Sequence, residues 1–234
     1  MDVTQMLTEF NLLWNNIMSN QAPGLSPYEV SLLLTQSQDI TVNSICESFE
    51  QSESIISYLS PLVRQATIDT VSDATEYAEP ADRRMHIVPN SKLFKLPDDL
   101  LYRTHEALQI VDECGGIRVV DIVPVTQDAF DRTMSDPFKR PNSRRALRLA
   151  FDYNVGESEG YKGRYSEIVC ADNDPENTYK YTVRYISKPE PIVLANLGTR
   201  SIDGVSTVNP CKLNDNIQRR IIAKAVEIAK SVWS

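Results

Sequence analysis

Residues 178–187 read Thr178-Tyr179-Lys180-Tyr181-Thr182-Val183-Arg184-Tyr185-Ile186-Ser187. Tyr179, Tyr181, Val183 and Tyr185 recur at every second position, so an extended chain sets all four on one side. This is the pattern of a strand in an antiparallel sheet with one buried face. It is built from the aromatic and β-branched residues that pack best on a pleated surface. Upstream, Asp172-Asn173-Asp174-Pro175 is a turn, and residues 164–171 and 144–153 read as further strands. Residues 100–112 and 117–125 flank Glu113-Cys114-Gly115-Gly116, a hairpin turn between two apolar runs. Residues 126–135 predict a short helix capped by Thr126. Strand texture extends back to Met85.

Before that sheet the period changes. Val3, Met6, Leu7, Phe10, Leu13, Trp14 and Ile17 recur at three- and four-residue spacing, the stripe of an amphipathic helix. After a break at residues 20–24, Ser26-Pro27-Tyr28-Glu29 has the form of a capping box with proline at the first helical position. A second helix runs from Pro27 to about Gln38 and resumes or continues to Phe49. A third, short one carries Ile55, Ile56 and Leu59 and ends near Pro61. At the other end a helix from about Asn214 places Ile217, Ile221, Ala225, Ile228 and Val232 on one stripe.

Strands grouped after helices, without βαβ alternation, predict an α+β fold. The expected organisation is a helical bundle over 1–65, an acidic connector or arm over 66–84, an antiparallel β-rich part over 85–212 with one short helix, and a C-terminal helix over 213–234 that packs on the body. No internal repeat is present.

The chain has 234 residues with a formal net charge of −8. Residues 1–82 hold 12 acids and one base, Arg64, while residues 83–234 hold 20 acids and 23 bases. Such asymmetry suggests two parts that meet different surroundings, or a well-solvated acidic surface. No apolar run reaches the length of a membrane span, and no leader-like start is visible. Cys46, Cys114, Cys170 and Cys211 are far apart and form no C-x-x-C pair, so buried or half-buried thiols in a reducing compartment are expected.

Gly156-Glu157-Ser158-Glu159-Gly160 matches the nucleophile elbow G-x-S-x-G, which would make Ser158 the nucleophile of a small serine hydrolase. The elbow needs a following helix and a later histidine. Here a strand follows, and both histidines, His86 and His105, lie upstream, so a hairpin loop is the better reading. Asp172 to Glu176 lacks the glycine and the closing glutamate of a calcium loop. Gly156, Gly160 and Gly163 lack the lysine-serine pair of a phosphate loop. No catalytic residue, cofactor or metal is expected, and the chain reads as a non-enzyme.

Lys139-Arg140-Pro141-Asn142-Ser143-Arg144-Arg145-Ala146-Leu147-Arg148 is a basic cluster. It can hold phosphates or paired carboxylates. A sequence isoelectric point near 4.9 and the absence of a reading element argue against a DNA-binding factor. Lys139, Arg140, Arg144, Arg145 and Arg148 are therefore expected to make a subunit or partner contact, with the acidic helical part of a neighbour as a candidate.

Several stretches resemble structural proteins of crAss-like phages and related podoviruses of Bacteroidales. They include 9–13, 16–25, Tyr28-Glu29-Val30-Ser31, Leu33-Leu34-Thr35-Gln36-Ser37-Gln38, Leu96-Pro97-Asp98-Asp99, Pro137-Phe138-Lys139-Arg140-Pro141, residues 185–193, and Ala225-Val226-Glu227-Ile228-Ala229. Ser37 departs from the alanine more usual in that family. In order and spacing the stretches cover most of the chain, and they bring no catalytic residues. The resemblance implies a ring protein of the neck or upper tail, similar to head-to-tail adaptors, with a helical part and a small β part around a channel. It implies a homo-oligomer, usually of twelve copies, that meets the portal protein and other tail or ring proteins while genomic DNA passes through without sequence-specific binding. It also implies a place in the virion after assembly in the host bacterial cytoplasm. Residues 66–82 and the loops around Gly160 and Gly198 are expected to dock onto neighbours. A tail-hub or tail-completion subunit is the alternative within the same class.

Overall fold

The computed structural model describes residues 1–17, 24–47, 57–70, 91–151, 165–172 and 174–233. Among these residues it has the expected α+β architecture, with four α-helices of defined bounds and one seven-stranded, mostly antiparallel sheet. The chain forms two compact units. One comprises Met1–Val63 with Lys188–Ser234, the other Arg64–Ser187.

The first unit holds α1 (Val3–Ile17), α2 (Pro27–Glu47) and α4 (Asp215–Trp233), with α1 and α2 each lying against α4. Met6, Phe10 and Trp14 are the buried stripe of α1. Each large side chain so buried contributes about 1.5–3 kcal/mol. The capping box forms as read. The Ser26 N–H donates to the Glu29 carboxylate at 2.7 Å, and the Glu29 N–H donates to Ser26 Oγ at 3.3 Å. The Ser26 hydroxyl first, and the Ser26 N–H second, both donate to the Glu29 carboxylate and hold it below its ordinary range. Helix α2 is continuous through Glu47, so no second segment resumes. The stripe of α4 is wider than expected and turned. Ile217, Ile221, Ala225 and Ala229 are buried beside Gln218, Ile222 and Val226, while Val232 is exposed.

Helix α2 buries polar as well as apolar residues, because an extended segment lies along it. The Leu194 N–H donates to Ser31 Oγ at 3.0 Å and the Ile192 N–H to Thr35 Oγ1 at 3.1 Å. Gln38 Nε2 donates to the Glu190 carbonyl at 2.7 Å. Helical positions 31, 35 and 38 thus meet extended positions 194, 192 and 190. Seven helical residues rise about 10 Å and four extended residues about 13 Å, so the two periods nearly match over this length. Beyond it the chain folds back through Ile202-Asp203-Gly204-Val205, where φ of 47° at Asp203 and 82° at Gly204 make a two-residue turn of the left-handed kind.

The second unit carries β1 (Val63–Asp69), β2 (Lys92–Lys95), β3 (Leu100–Val111), β4 (Ile117–Val125), α3 (Gln127–Ser135), β5 (Arg145–Phe151), β6 (Tyr165–Val169) and β7 (Thr178–Ser187). The strand order is β1-β7-β3-β4-β5-β6-β2. The β3–β4 hairpin turns where expected. Gly115 sits at φ 79°, and the Gly116 N–H donates to Asp112 Oδ1 at 2.6 Å. Tyr179, Tyr181, Val183 and Tyr185 are all buried on the main core face with Leu108, Ile110, Val120 and Ile168. The sheet curls on this face. The ring of Phe94 on β2 lies 5.4 Å from that of Tyr181 on β7, although β3, β4, β5 and β6 separate them in strand order.

Several local expectations are corrected. β4 and β5 pair in parallel through α3, so one βαβ crossover exists where none was read. A parallel pair needs a long connection, and residues 126–144 supply it. Thr126 precedes α3 but makes no side-chain capping bond; its carbonyl accepts from the Ala129 N–H at 3.1 Å instead. Ala66 to Asp69, read as the start of a connector, are strand, with Ala66 and Ile68 packed on the core face. Ser57 and Tyr58 are helical and Ser60–Leu62 form a 3₁₀ turn, so Pro61 lies within that turn. Cys114 is exposed at the hairpin tip, whereas Cys46 and Cys170 are buried and Cys211 is half-buried; all four are free thiols. Ile55, Ile56, the arm over 71–84, His86, and the Gly156–Gly160 motif with Ser158 lie outside the described residues.

The charge asymmetry is also redistributed. Residues 1–63 hold seven acids and no base, but they fold with residues 188–234, which hold seven bases and four acids. Each unit therefore carries a net charge of −4.

Candidate assembly surface

The basic cluster follows α3, and Asp136 shapes it. Its Oδ1 accepts from the Phe138 N–H at 2.9 Å, and its carbonyl accepts from the Lys139 and Arg140 N–H groups at 3.1 and 3.0 Å. Hydrogen bonding from Phe138, and then the nearby Lys139 ammonium, hold the Asp136 carboxyl below its usual range. The turn this builds projects Phe138 into solvent, 87% exposed. Arg145 ties the turn to the sheet by donating from Nη1 to the Phe138 carbonyl at 2.8 Å.

Of the five expected contact residues, the structure brings four to this place. Lys139, Arg140 and Arg144 are exposed, and Arg145 is half-buried. Arg148 is not among them. Three residues after Arg145, it points to the opposite face of β5 and is only 8% exposed. There its Nε lies 2.9 Å from Glu106 Oε1, and the same carboxylate accepts from the Tyr181 hydroxyl, with Arg103 Nε at 3.6 Å. Burial first, and the Glu106 charge second, push the Tyr181 hydroxyl well above its ordinary pKa. Arg148 is thus part of the folding core of the sheet.

Sequence reading missed the apolar part of this surface. Strand alternation sets Ile117, Val119, Asp121 and Val123 on the face of β4 that carries Arg145 and Leu147 on β5. Leu147, Leu149 and Val169 on that face are covered, packed with Phe130 of α3. Ile117, Val119 and Val123 are not covered, at 68%, 58% and 39% exposed. A strand apolar on both faces reads as doubly buried, and nothing in the local sequence says that α3 covers only one end. The result is an open, mostly apolar strip, interrupted by exposed Asp121, beside a basic rim and an upright phenylalanine.

Asp172 accepts from the Asp174 N–H at 3.1 Å, from Asn177 and Tyr179 side chains, and from Arg118, so it organises a turn, as read. His105 is exposed on β3. Among the described residues no group of three or more His, Cys, Asp or Glu side chains could hold a metal ion, and no helix is long and apolar enough to cross a membrane.

Comparison with known proteins gives two results. The family model described as "Phage tail ring protein 3/4" matches residues 1–233. The chain is 33% identical over 247 aligned positions to "Ring protein 4/5" of Bacteroides phage crAss001, covering 100% of this chain and 94% of that protein. It is 32% identical over 233 positions to "Ring protein 3" of the same phage, covering 94% of this chain and 91% of that one.

Proposed function

Because this chain belongs to the phage tail ring protein 3/4 family, we propose that it is a non-enzymatic ring subunit at the portal–tail junction of the virion. The observation that carries this is whole-length similarity to two named ring proteins, together with an outer surface built for protein contact. Each subunit meets the next through a head-to-tail contact that closes by rotation, with twelve copies around the channel. A stable contact of this kind buries more than about 1,000 Å². The open apolar strip, with Lys139, Arg140, Arg144 and Arg145 beside it, is suited to such a contact.

DNA crosses the ring without being held. A net charge of −4 on each unit supports this, since like charge repels phosphates and close basic contacts would bind them. The subunit assembles in the host cytoplasm, docking to the portal and other tail proteins through the part of residues 66–82 that follows β1 and through the loops near Gly160 and Gly198. A second reading within the same class places the ring further down the tail. The word "tail" in the family description favours it.

Imaging of purified particles, with this chain traced in the map, tests both. A rotationally repeated contact next to the portal supports the first reading, and one further down supports the second. Absence from particles, or presence without such a repeat, removes both.

A further inference from the structure

From two surfaces of this chain that match each other, we infer that the open strip of β4, with Phe138, receives the outer stripe of helix α2 from a second copy of the chain. The inference rests on the ring reading, and names the surfaces that reading leaves open.

The two surfaces differ in kind. Helix α2 is buried on most of its circumference, and what it leaves outside is one narrow stripe. Glu29, Leu32, Gln36, Ile40 and Glu47 follow each other along it at helical spacing, all exposed. Leu32 and Ile40 are apolar, at 37% and 46% exposure, and acids stand at both ends. The receiving surface has the converse pattern. Ile117, Val119 and Phe138 are the apolar part, exposed Asp121 stands next to Val119 with Arg145 as its strand partner, and Lys139, Arg140 and Arg144 add positive charge.

The stripe sits on residues 1–63, which hold no base; Arg200 stands near Glu29 at one end, so Glu47 at the other end is the acid offered to an approaching arginine. Phe138 is rigidly offered. Its turn is held by Asp136 and by Arg145, so little freedom is lost when it is covered. Aromatic and arginine side chains of this sort are the usual anchors of protein contacts. Because the stripe and the strip are different patches of one chain, each copy can give one and receive the other, as a head-to-tail ring requires.

The test uses the full chain with Cys114→Ser to remove the exposed thiol. One preparation carries Ile40→Cys and the other Phe138→Cys, and the two are mixed at high concentration with a short bis-maleimide. The expected result is a cross-linked heterodimer in the mixture, well above the product from either preparation alone. Arg140→Glu on the Phe138→Cys chain should lower the yield about two- to fivefold, the range for a partly exposed charge pair. Glu47→Lys on the other chain should restore it. A mixture that yields no more product than the separate preparations overturns the inference. Particle images separate the two levels. A ring whose neighbours meet elsewhere removes this contact and leaves the ring, whereas particles without the chain remove both.

Discussion

The Thr35 hydroxyl stands 3.1 Å from the backbone nitrogen of Ile192 and accepts its hydrogen bond, joining helix α2 to a segment 157 residues further along. The same hydroxyl donates to the Ser31 carbonyl at 2.9 Å, so one small group serves both the helix and the segment beside it. The stretches around Tyr28–Gln38 and Tyr185–Val193, which carry much of the family resemblance, are the two sides of this contact.

Replacing Thr35 with valine keeps the shape and leaves the buried Ile192 N–H without its acceptor. The expected loss is about 1–3 kcal/mol of unfolding free energy, read from chemical denaturation. Thr35→Ser keeps the hydroxyl and should lose less. Equal stability of the valine variant and the unmodified chain would sink this account of the α2 contact.

Glu106 is the shared partner of Arg148 and Tyr181. Glu106→Gln leaves the Arg148 charge buried without compensation, and should cost about 3–5 kcal/mol. The double variant Glu106→Gln with Arg148→Met removes both charges and should be more stable than Glu106→Gln alone. A double-mutant cycle measures this, and simple additivity of the two losses would show that the charges are not coupled.

Acid should weaken the second unit through Asp172. Hydrogen bonding from the Asp174 N–H, then from Asn177 and Tyr179, and finally the Arg118 charge hold its carboxyl below the usual range. A depressed folded pKa means that the stabilisation is fully present above the unfolded value of about 3.9. It is lost as pH falls below that value and through the lower folded one. Asp172→Asn should therefore lower stability near neutrality and flatten this acid limb in a denaturation series from neutral pH downward.

Thiol chemistry separates the four cysteines. Cys114 is exposed, while burial raises the pKa of Cys46, Cys170 and Cys211 and keeps them as unreactive thiols. Brief maleimide treatment of the folded chain should add one label, and Cys114→Ser should abolish it. In the unmodified chain, unfolding should then expose the remaining three to a second label, read by mass spectrometry. Rapid native labelling at Cys170 would contradict the packing of its strand end.

Phe138→Ala should leave unfolding free energy unchanged within about 0.5 kcal/mol, as for a surface residue without folded-state partners for its ring. The measurement is thermal or chemical denaturation of the two chains side by side. A loss above 1–2 kcal/mol would mean that the ring supports the fold.

The elements themselves were legible because each is a local matter. The alternation of Tyr179, Tyr181, Val183 and Tyr185, the Ser26–Glu29 box and the Gly115-Gly116 turn depend on neighbours a few residues away. The α+β class followed from their order. Tertiary structure decided what no local pattern contains. It set residues 188–234 against the N-terminal helices, which cancels much of their charge, and it turned Arg148 inward to Glu106. It also left Ile117 and Val119 open while covering Leu147 and Leu149. Periodicity reports which residues share a face, but whether that face meets solvent, a helix or another molecule depends on parts of the chain that no local window includes.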